Sequence, residues 1–155
     1  MNGIWRKFNT AWGLSFREKL WLVLLYPLSG FFRLCTLVIP FRWVAGFLGE
    51  CQKGESVSRG ATQEQEELAW RIGRMCALAA RYTPWESKCL VQALMARCLL
   101  GCYGVPYVIR LGVGKGEEAS EGIKAHAWTQ VGRLVVTGRK GHLAFQVLNA
   151  YASGK

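Results

Sequence analysis

The spacing of the hydrophobic residues changes near residue 103, and this change constrains the fold more than any other feature. Over about 63–82, and again over about 87–101, apolar residues recur every three or four positions, as on one face of a helix. Thr62 and Gln65 have the pattern of a capping box before the first run, and Thr83-Pro84 ends it. We therefore expect two consecutive amphipathic helices.

After residue 105 the pattern becomes that of strands. Segments 106–113, 124–131, 134–138 and 143–151 are rich in β-branched and aromatic residues, and Gly132-Arg133 predicts a hairpin turn between the second and third. Helices followed by antiparallel strands are typical of an α+β domain. The sequence thus predicts that residues 63–155 form such a domain.

The chain before this domain has a different character. Residues 1–50 are very apolar, but their longest charge-free run, 20–32, has 13 residues, fewer than the ~20 that a spanning helix needs. Pro27, Arg33, Pro40 and Arg42 are expected to break the segment into two or three short helices with basic flanks. These helices could dock on a partner, lie on a membrane or pack on the following domain, and a tilted transmembrane helix is a further alternative. Residues 51–62 are polar and Gly-rich, as in a linker.

The charge and the cysteine content restrict the partners and the compartment. The net charge of +10 over 155 residues favours an acidic partner, although it also suits a plain solvated surface. Nucleic acid ranks last because the basic residues are scattered and no known motif accompanies them. The six cysteines include no Cys-x-x-Cys pair, which argues against zinc, and no motif implies a cofactor. We expect reduced thiols in the cytoplasm, with membrane association left open.

Cys89 has the setting of a nucleophile. It lies between the polar residues of "WESK" and an apolar helical run, so a helix capped by Ser87 would hold it in the first turn. Unpaired backbone N–H groups there stabilise a thiolate and can hold an oxyanion. A helix that begins instead at Thr83, with Pro84 and Glu86 in its first turn, would bury Cys89 more deeply.

His126 is the candidate base. The chain has only two histidines and no Asp, since all ten acidic residues are Glu. Alternation along the strand puts His126, Trp128 and Gln130 on one face, and the flanking alanines leave room for a close approach. A histidine in this position can also be an ordinary core residue.

The two candidates lie in a pattern that resembles a known family. "W-x-x-x-C-L-x-x-A" at 85–93, "G-V-P" at 104–106, "I-R-L-G-V" at 109–113 and "A-H-A-W" at 125–128 are similar to the transglutaminase-like leader proteases of lasso-peptide biosynthesis. The chain looks most like the stand-alone catalytic half of the split B-type protein. The resemblance covers about 62–150, and the apolar N-terminal region also looks like the one that precedes this domain in those proteins.

The resemblance implies a papain-like catalytic arrangement. It makes Cys89 the nucleophile that removes the leader from a precursor peptide and His126 its base. The family's orienting Asp falls on Gly138, which we expect directly opposite His126 in the hairpin, with its seat left empty. A backbone carbonyl near Gly138, a water, Gln130, Asn149 or a distant Glu could replace that Asp. We expect a Cys89–His126 dyad with a neutral orienting group that works more slowly than a relative with Asp.

Partners and alternatives follow from the same resemblance. It implies a separate leader-recognition protein and an ATP-using lasso cyclase, and the apolar N-terminal helices are a natural docking surface. Trp85 and Trp128 flank the two candidates and either wall the cleft or pack in the core. Two other functions stay open: a non-enzymatic, membrane-apposed binding module, and another acyl transferase or amidase of the same fold.

Overall fold

The structure is a computed structural model, and it describes residues 13–52, 60–115 and 122–154. The described elements, in chain order, are helices α1 (Phe16–Val38) and α2 (Phe41–Leu48), strand β1 (Glu50–Gln52), helices α3 (Gln63–Tyr82) and α4 (Cys89–Cys102), strands β2 (Val108–Lys115), β3 (Ile123–Val131) and β4 (Leu134–Thr137), a 3₁₀ turn (His142–Ala144) and strand β5 (Gln146–Ala152). The predicted α+β class is confirmed.

The strands form one antiparallel sheet in the order β1-β5-β2-β3-β4. Helices α1, α3 and α4 pack on one another, and α3 and α4 also contact β3 and β4. Helix α4 is apolar almost all round and is buried along most of its length, because it lies between the other helices and the sheet. The start of this central helix is therefore fixed from several sides.

Helix α3 begins where the sequence predicts. The Thr62 side chain accepts from the N–H of Gln65, and the Gln65 side chain accepts from the N–H of Thr62, which completes the capping box. Its buried residues Ile72, Met75, Cys76 and Ala79 follow the helical spacing. The predicted span of 63–82 is confirmed.

The expected breaks in the N-terminal segment are wrong at three of the four positions, since Arg42 lies inside α2. Helix α1 runs through Pro27 and Arg33 without interruption, and the chain leaves the helical path only before Pro40. Buried Trp21, Leu25 and Phe32 hold α1 against the core on both sides of Pro27. That packing outweighs the cost of about 3 kcal/mol for proline inside a helix. Among the described residues, α1 is the one helix long and apolar enough to cross a membrane, by length and composition alone.

The proposed division into an N-terminal region, a linker and a domain stays a prediction. Residues 50–52, on either side of the predicted boundary, form β1 and pair with β5, a short strand that the sequence pattern did not reveal. Most of the predicted linker, 53–59, and the first twelve residues lie outside the described part of the chain.

Candidate functional site

Cys89 is the first residue of helix α4. The residue before it, Lys88, occupies the N-cap position, and no side chain bonds to the first-turn N–H groups. Both expected caps are therefore wrong. The Ser87 hydroxyl lies 3.3 Å from that of Thr83, and Thr83 ends helix α3. The later start puts Cys89 in the first turn, where the backbone N–H groups have no helical carbonyl to bond.

Cys89 and His126 line the same cavity, which has a volume of about 450 Å³. Its wall combines the start of α4 with neighbouring positions on β2, β3 and β5 and with residues of the two N-terminal helices. Apolar side chains make up most of the wall, among them Phe41, Leu90, Val91, Leu111, Val113 and Leu148. Such a cavity can exclude water around a reacting group.

The imidazole of His126 is oriented by a backbone carbonyl. Its Nε2 lies 2.7 Å from the carbonyl oxygen of Gly138. A carbonyl oxygen can only accept, so Nε2 must carry the proton and Nδ1 is the basic nitrogen of the neutral ring. Within the described residues, Nδ1 makes no hydrogen bond, and none joins the ring to the Cys89 thiol.

Gly138 has a conformation that differs from the one expected. The expected pairing directly opposite His126 is wrong. Thr137 pairs with Thr129 after a register shift, so Gly138 follows the end of β4 beside Trp128. Gly138 has φ +70°, and a Cβ atom on it would lie 2.3 Å from the carbonyl oxygen of Ala127. A side chain on Gly138 would therefore meet backbone atoms, so the empty space expected at this position is not present.

Two aromatic rings hold the imidazole in place. Trp128, 4% exposed, stacks on His126 with ring centroids 5.9 Å apart, and Phe145 lies at 4.9 Å. Gly112 pairs with His126 across the sheet, and a Cβ there would approach the Trp128 ring to 3.0 Å. Neither Phe145 nor Gly112 was predicted from the sequence. The glycine inside the strand motif "IRLGV" was the available signal, since such a glycine often marks a close approach.

The other candidate residues separate into two groups. Asn149 lines the cavity, and its amide has no hydrogen bond within the described residues. Gln130 accepts from Arg110 and donates to the Gly132 carbonyl at 2.9 Å, so it is engaged elsewhere. Trp85 donates its indole N–H to Ser29 of α1 at 3.0 Å, and this bond fixes it against that helix.

Two cations lie at the cavity. Arg33 and Lys88 both line it, and both contact the exposed carboxylate of Glu86, at 3.7 and 3.4 Å. Exposed ion pairs such as these contribute little to stability. They give the cavity a positive rim beside its apolar wall.

These groups together suit acyl transfer. A thiol at a helix start, an imidazole with its basic nitrogen set by a hydrogen bond, and unpaired N–H groups supply a nucleophile, a base and donors for an oxyanion. No metal ion is needed for this chemistry.

Comparisons with known proteins agree with the fold. A family model described as the transglutaminase-like superfamily matches residues 35–150, a range that contains Cys89, His126 and Gly138. Searches of curated proteins and of solved structures find no match to the chain. The family model covers most of the sequence and spans the cavity, the central helix and nearly all of the sheet, so the chain belongs to the transglutaminase-like superfamily.

Proposed function

We propose that this protein is a cysteine peptidase that removes the leader from a lasso-peptide precursor. Its fold is consistent with a cysteine peptidase or acyltransferase. One observation carries the proposal: Cys89, at the start of α4, lines the same cavity as His126, whose Nε2 is bonded to the Gly138 carbonyl.

The first step transfers a proton within the dyad. Nδ1 of His126 takes the proton of the Cys89 thiol, and the Nε2–H bond to Gly138 keeps Nδ1 free for this role. The thiol and the ring are not hydrogen-bonded in the free protein. Catalytic hydrogen bonds are often long before substrate binds, and the substrate is expected to bring the pair together.

The next steps convert the peptide bond at the end of the leader into a thioester and then hydrolyse that thioester. The thiolate attacks the carbonyl carbon at the end of the leader, and N–H groups at the start of α4 stabilise the oxyanion. The C–N bond breaks, the imidazolium gives its proton to the departing amine, and the leader remains as a thioester on Cys89. Water, deprotonated by the same imidazole, then hydrolyses the thioester and restores the free thiol.

The neutral orienting group limits the rate. An Asp would stabilise the imidazolium with a full charge, whereas the Gly138 carbonyl offers only a dipole. We therefore expect a slower enzyme than a relative in which a carboxylate holds the histidine. No cofactor enters this mechanism.

The substrate and the partners rest on sequence resemblance. The Cys-Leu motif at 89–90 and the Ala-His-Ala-Trp motif at 125–128, at this spacing, support a leader protease of the split B type. The proposal includes three partners in the cytoplasm: the precursor peptide, a separate leader-recognition protein and a lasso cyclase. The positive rim of Arg33 and Lys88 suits an acidic residue of the precursor near the cleaved bond.

Reconstitution tests the proposed function. The full chain, a leader-recognition protein and a lasso precursor are mixed, and free leader is measured by mass spectrometry. We expect release in the complete mixture and a much slower release when the recognition protein is omitted. A leader that leaves as an amide of added methylamine, with hydrolysis suppressed, would identify an acyl transferase instead. An intact precursor in every mixture would contradict leader cleavage.

A further inference from the structure

Helix α1 has apolar residues on two opposite sides. Its inner side carries Trp21, Leu25 and Phe32, which are 2%, 0% and 5% exposed and belong to the core. The opposite side, here called the outer face, consists of apolar side chains that are each at least half exposed: Phe16, Leu20, Val23, Phe31, Leu34 and Val38. A helix that only covers a core does not need this second apolar side.

Helix α2 extends the outer face. Trp43 is 68% exposed, and Phe41 is 49% exposed. Between the two helices lies an apolar groove of about 260 Å³, lined in part by Phe31, Trp43 and Phe47. Contiguous exposed apolar surface of this kind marks an interaction site.

The charges around the outer face are of one sign. Lys19 and Arg42 are exposed beside it, whereas Arg17 of α1 lines a pocket with Glu64 and Glu67 of α3. Between residues 13 and 49 the one acidic residue is Glu18, which is 8% exposed and accepts from the N–H of Ser15. Apolar residues bordered by cations, with no exposed anion among them, complement an anionic surface that has an apolar interior.

We propose that the outer face binds the surface of an anionic membrane, with α1 lying in the plane of the bilayer interface. Its apolar side chains would enter the region below the headgroups, and Lys19 and Arg42 would bind lipid phosphates. A protein partner usually offers and requires hydrogen bonds as well. The apolar strip between the cations presents hardly any side-chain hydrogen-bonding group, which favours lipid as the occupant.

The inner side of α1 argues against a spanning helix. Ser29 is fully buried and accepts the indole N–H of Trp85, and Trp21 donates to Tyr103 at 3.0 Å. Insertion of α1 across a bilayer would break these bonds and uncover the core beside α3 and α4. Binding in the plane of the interface keeps them intact.

This orientation has a consequence for the cavity that contains Cys89. Arg33 and Thr36 of α1 and Phe41 of α2 line that cavity. Membrane binding would therefore hold the cavity mouth close to the lipid surface, whatever reaction takes place in it.

Vesicle partitioning tests the proposal. The full chain is incubated with sedimentable vesicles of phosphatidylcholine alone or with about one third phosphatidylglycerol, a content chosen to reproduce an anionic leaflet. We expect strong binding to the anionic vesicles, weaker binding to the neutral ones, and a decrease as salt is raised. Release by alkaline carbonate is expected for a protein that lies on the surface.

Matched variants locate the contact. Leu34→Ser with Val38→Ser, both on the outer face, should weaken partitioning about tenfold or more. The control, Leu143→Ser with Ile123→Ser, changes apolar residues of the sheet region that are even more exposed, and it should leave partitioning unchanged. Lys19→Gln with Arg42→Gln should weaken partitioning into anionic vesicles about fivefold for each cation removed. The control, Lys140→Gln with Arg139→Gln, should weaken it little.

Several outcomes would overturn the proposal. One is no sedimentation with anionic vesicles, with the outer face instead covered in a dimer or a protein complex. Another is an equal loss of partitioning in the control variants. Resistance to carbonate extraction, with release only by detergent, would indicate a spanning helix.

Discussion

Two cysteines on helix α4 show how strongly position decides what a thiol can do. Cys89 begins the helix and lines the cavity that also contains His126. Cys98, further along the same helix, packs against the hydrophobic core as Cys89 does, but it does not line that cavity. Burial raises the pKa of Cys98, and Arg97 only partly opposes this shift.

The difference lies in the surroundings of each sulfur. At the helix start, a thiolate can interact with unpaired N–H groups and transfer its proton to an imidazole. Around Cys98, Arg97 compensates only in part for the water that a thiolate would lose, so the neutral thiol is favoured. Cys89 is therefore expected to act as the nucleophile, and Cys98 to contribute only to packing.

The largest effect is expected from the cysteines themselves. Cys89→Ala should lower leader release by about 10⁴-fold or more, because no other group supplies the nucleophile. Cys98→Ala on the same helix should change the rate of the folded enzyme by less than about threefold and mainly cost stability. Rates are measured by mass spectrometry on samples whose folding is checked by circular dichroism. Equal losses in the two variants would remove the distinction.

The two histidines form a second matched pair. Nε2 of His126 is bonded to the Gly138 carbonyl, whereas Nδ1 of His142 is bonded to the Arg139 carbonyl, so the two rings hold opposite tautomers. His126→Ala should lower the rate by about 10²–10⁴-fold, and His142→Ala by less than about threefold. Nitrogen-15 NMR should find the proton of neutral His126 on Nε2. A proton on Nδ1 would contradict the proposed role of the carbonyl.

Gly138 should tolerate substitution poorly. Its φ of +70° and the 2.3 Å approach of a Cβ to the Ala127 oxygen predict a loss of about 1–3 kcal/mol in the free energy of unfolding for Gly138→Ala. Gly141 has φ +75° but open space around it, so Gly141→Ala should lower the free energy of unfolding by only about 1 kcal/mol. Urea unfolding measures both. Gly138→Asp is expected not to speed leader release, and a faster enzyme would restore the idea of an empty seat.

The smallest effect concerns pH and stability. Burial raises the pKa of the Cys76 thiol far above its ordinary value. The unfolded chain loses this proton first, so stability is retained below pH ~8.5 and falls above it, by up to about 1.4 kcal/mol per pH unit for one thiol. Urea unfolding between pH 7.5 and 9.5, under reducing conditions, should show a shallower decline for Cys76→Ala. Cys102 is exposed, so Cys102→Ala should leave the slope of unfolding free energy against pH unchanged. The same slope in Cys76→Ala as in the unsubstituted protein would contradict the role of the buried thiol.

The sequence predicts the regular elements of the domain well, because their signals are local. The capping box at Thr62 and the run to Tyr82 depend only on neighbouring residues, and so do most strand limits. The short strand β1 was missed, since three residues carry no periodicity and the strand exists only through pairing with β5. Helix α1 continues through Pro27 for a similar reason: distant packing, invisible in the local pattern, supports it.

The candidate site also has a part that the sequence predicts and a part that depends on the fold. The residue types and spacing of Cys89 and His126 identified them as candidates, and both line one cavity. The group that holds His126 could not be selected among five alternatives, because it depends on a register shift in the hairpin and on the backbone conformation of Gly138. The contact of Phe145 with the imidazole joins the end of the 3₁₀ turn to β3, and no sequence spacing reports such a contact.

The thioester intermediate gives the most direct test of the central claim. The full chain, the recognition protein and the precursor are mixed, quenched in acid within milliseconds to seconds, and examined by intact-mass and peptide-mapping mass spectrometry. The account predicts a transient adduct with the mass of the leader acyl group, located on Cys89, cleaved by hydroxylamine and absent from Cys89→Ala. Leader release at an undiminished rate by Cys89→Ala, or an adduct on another residue, would contradict it.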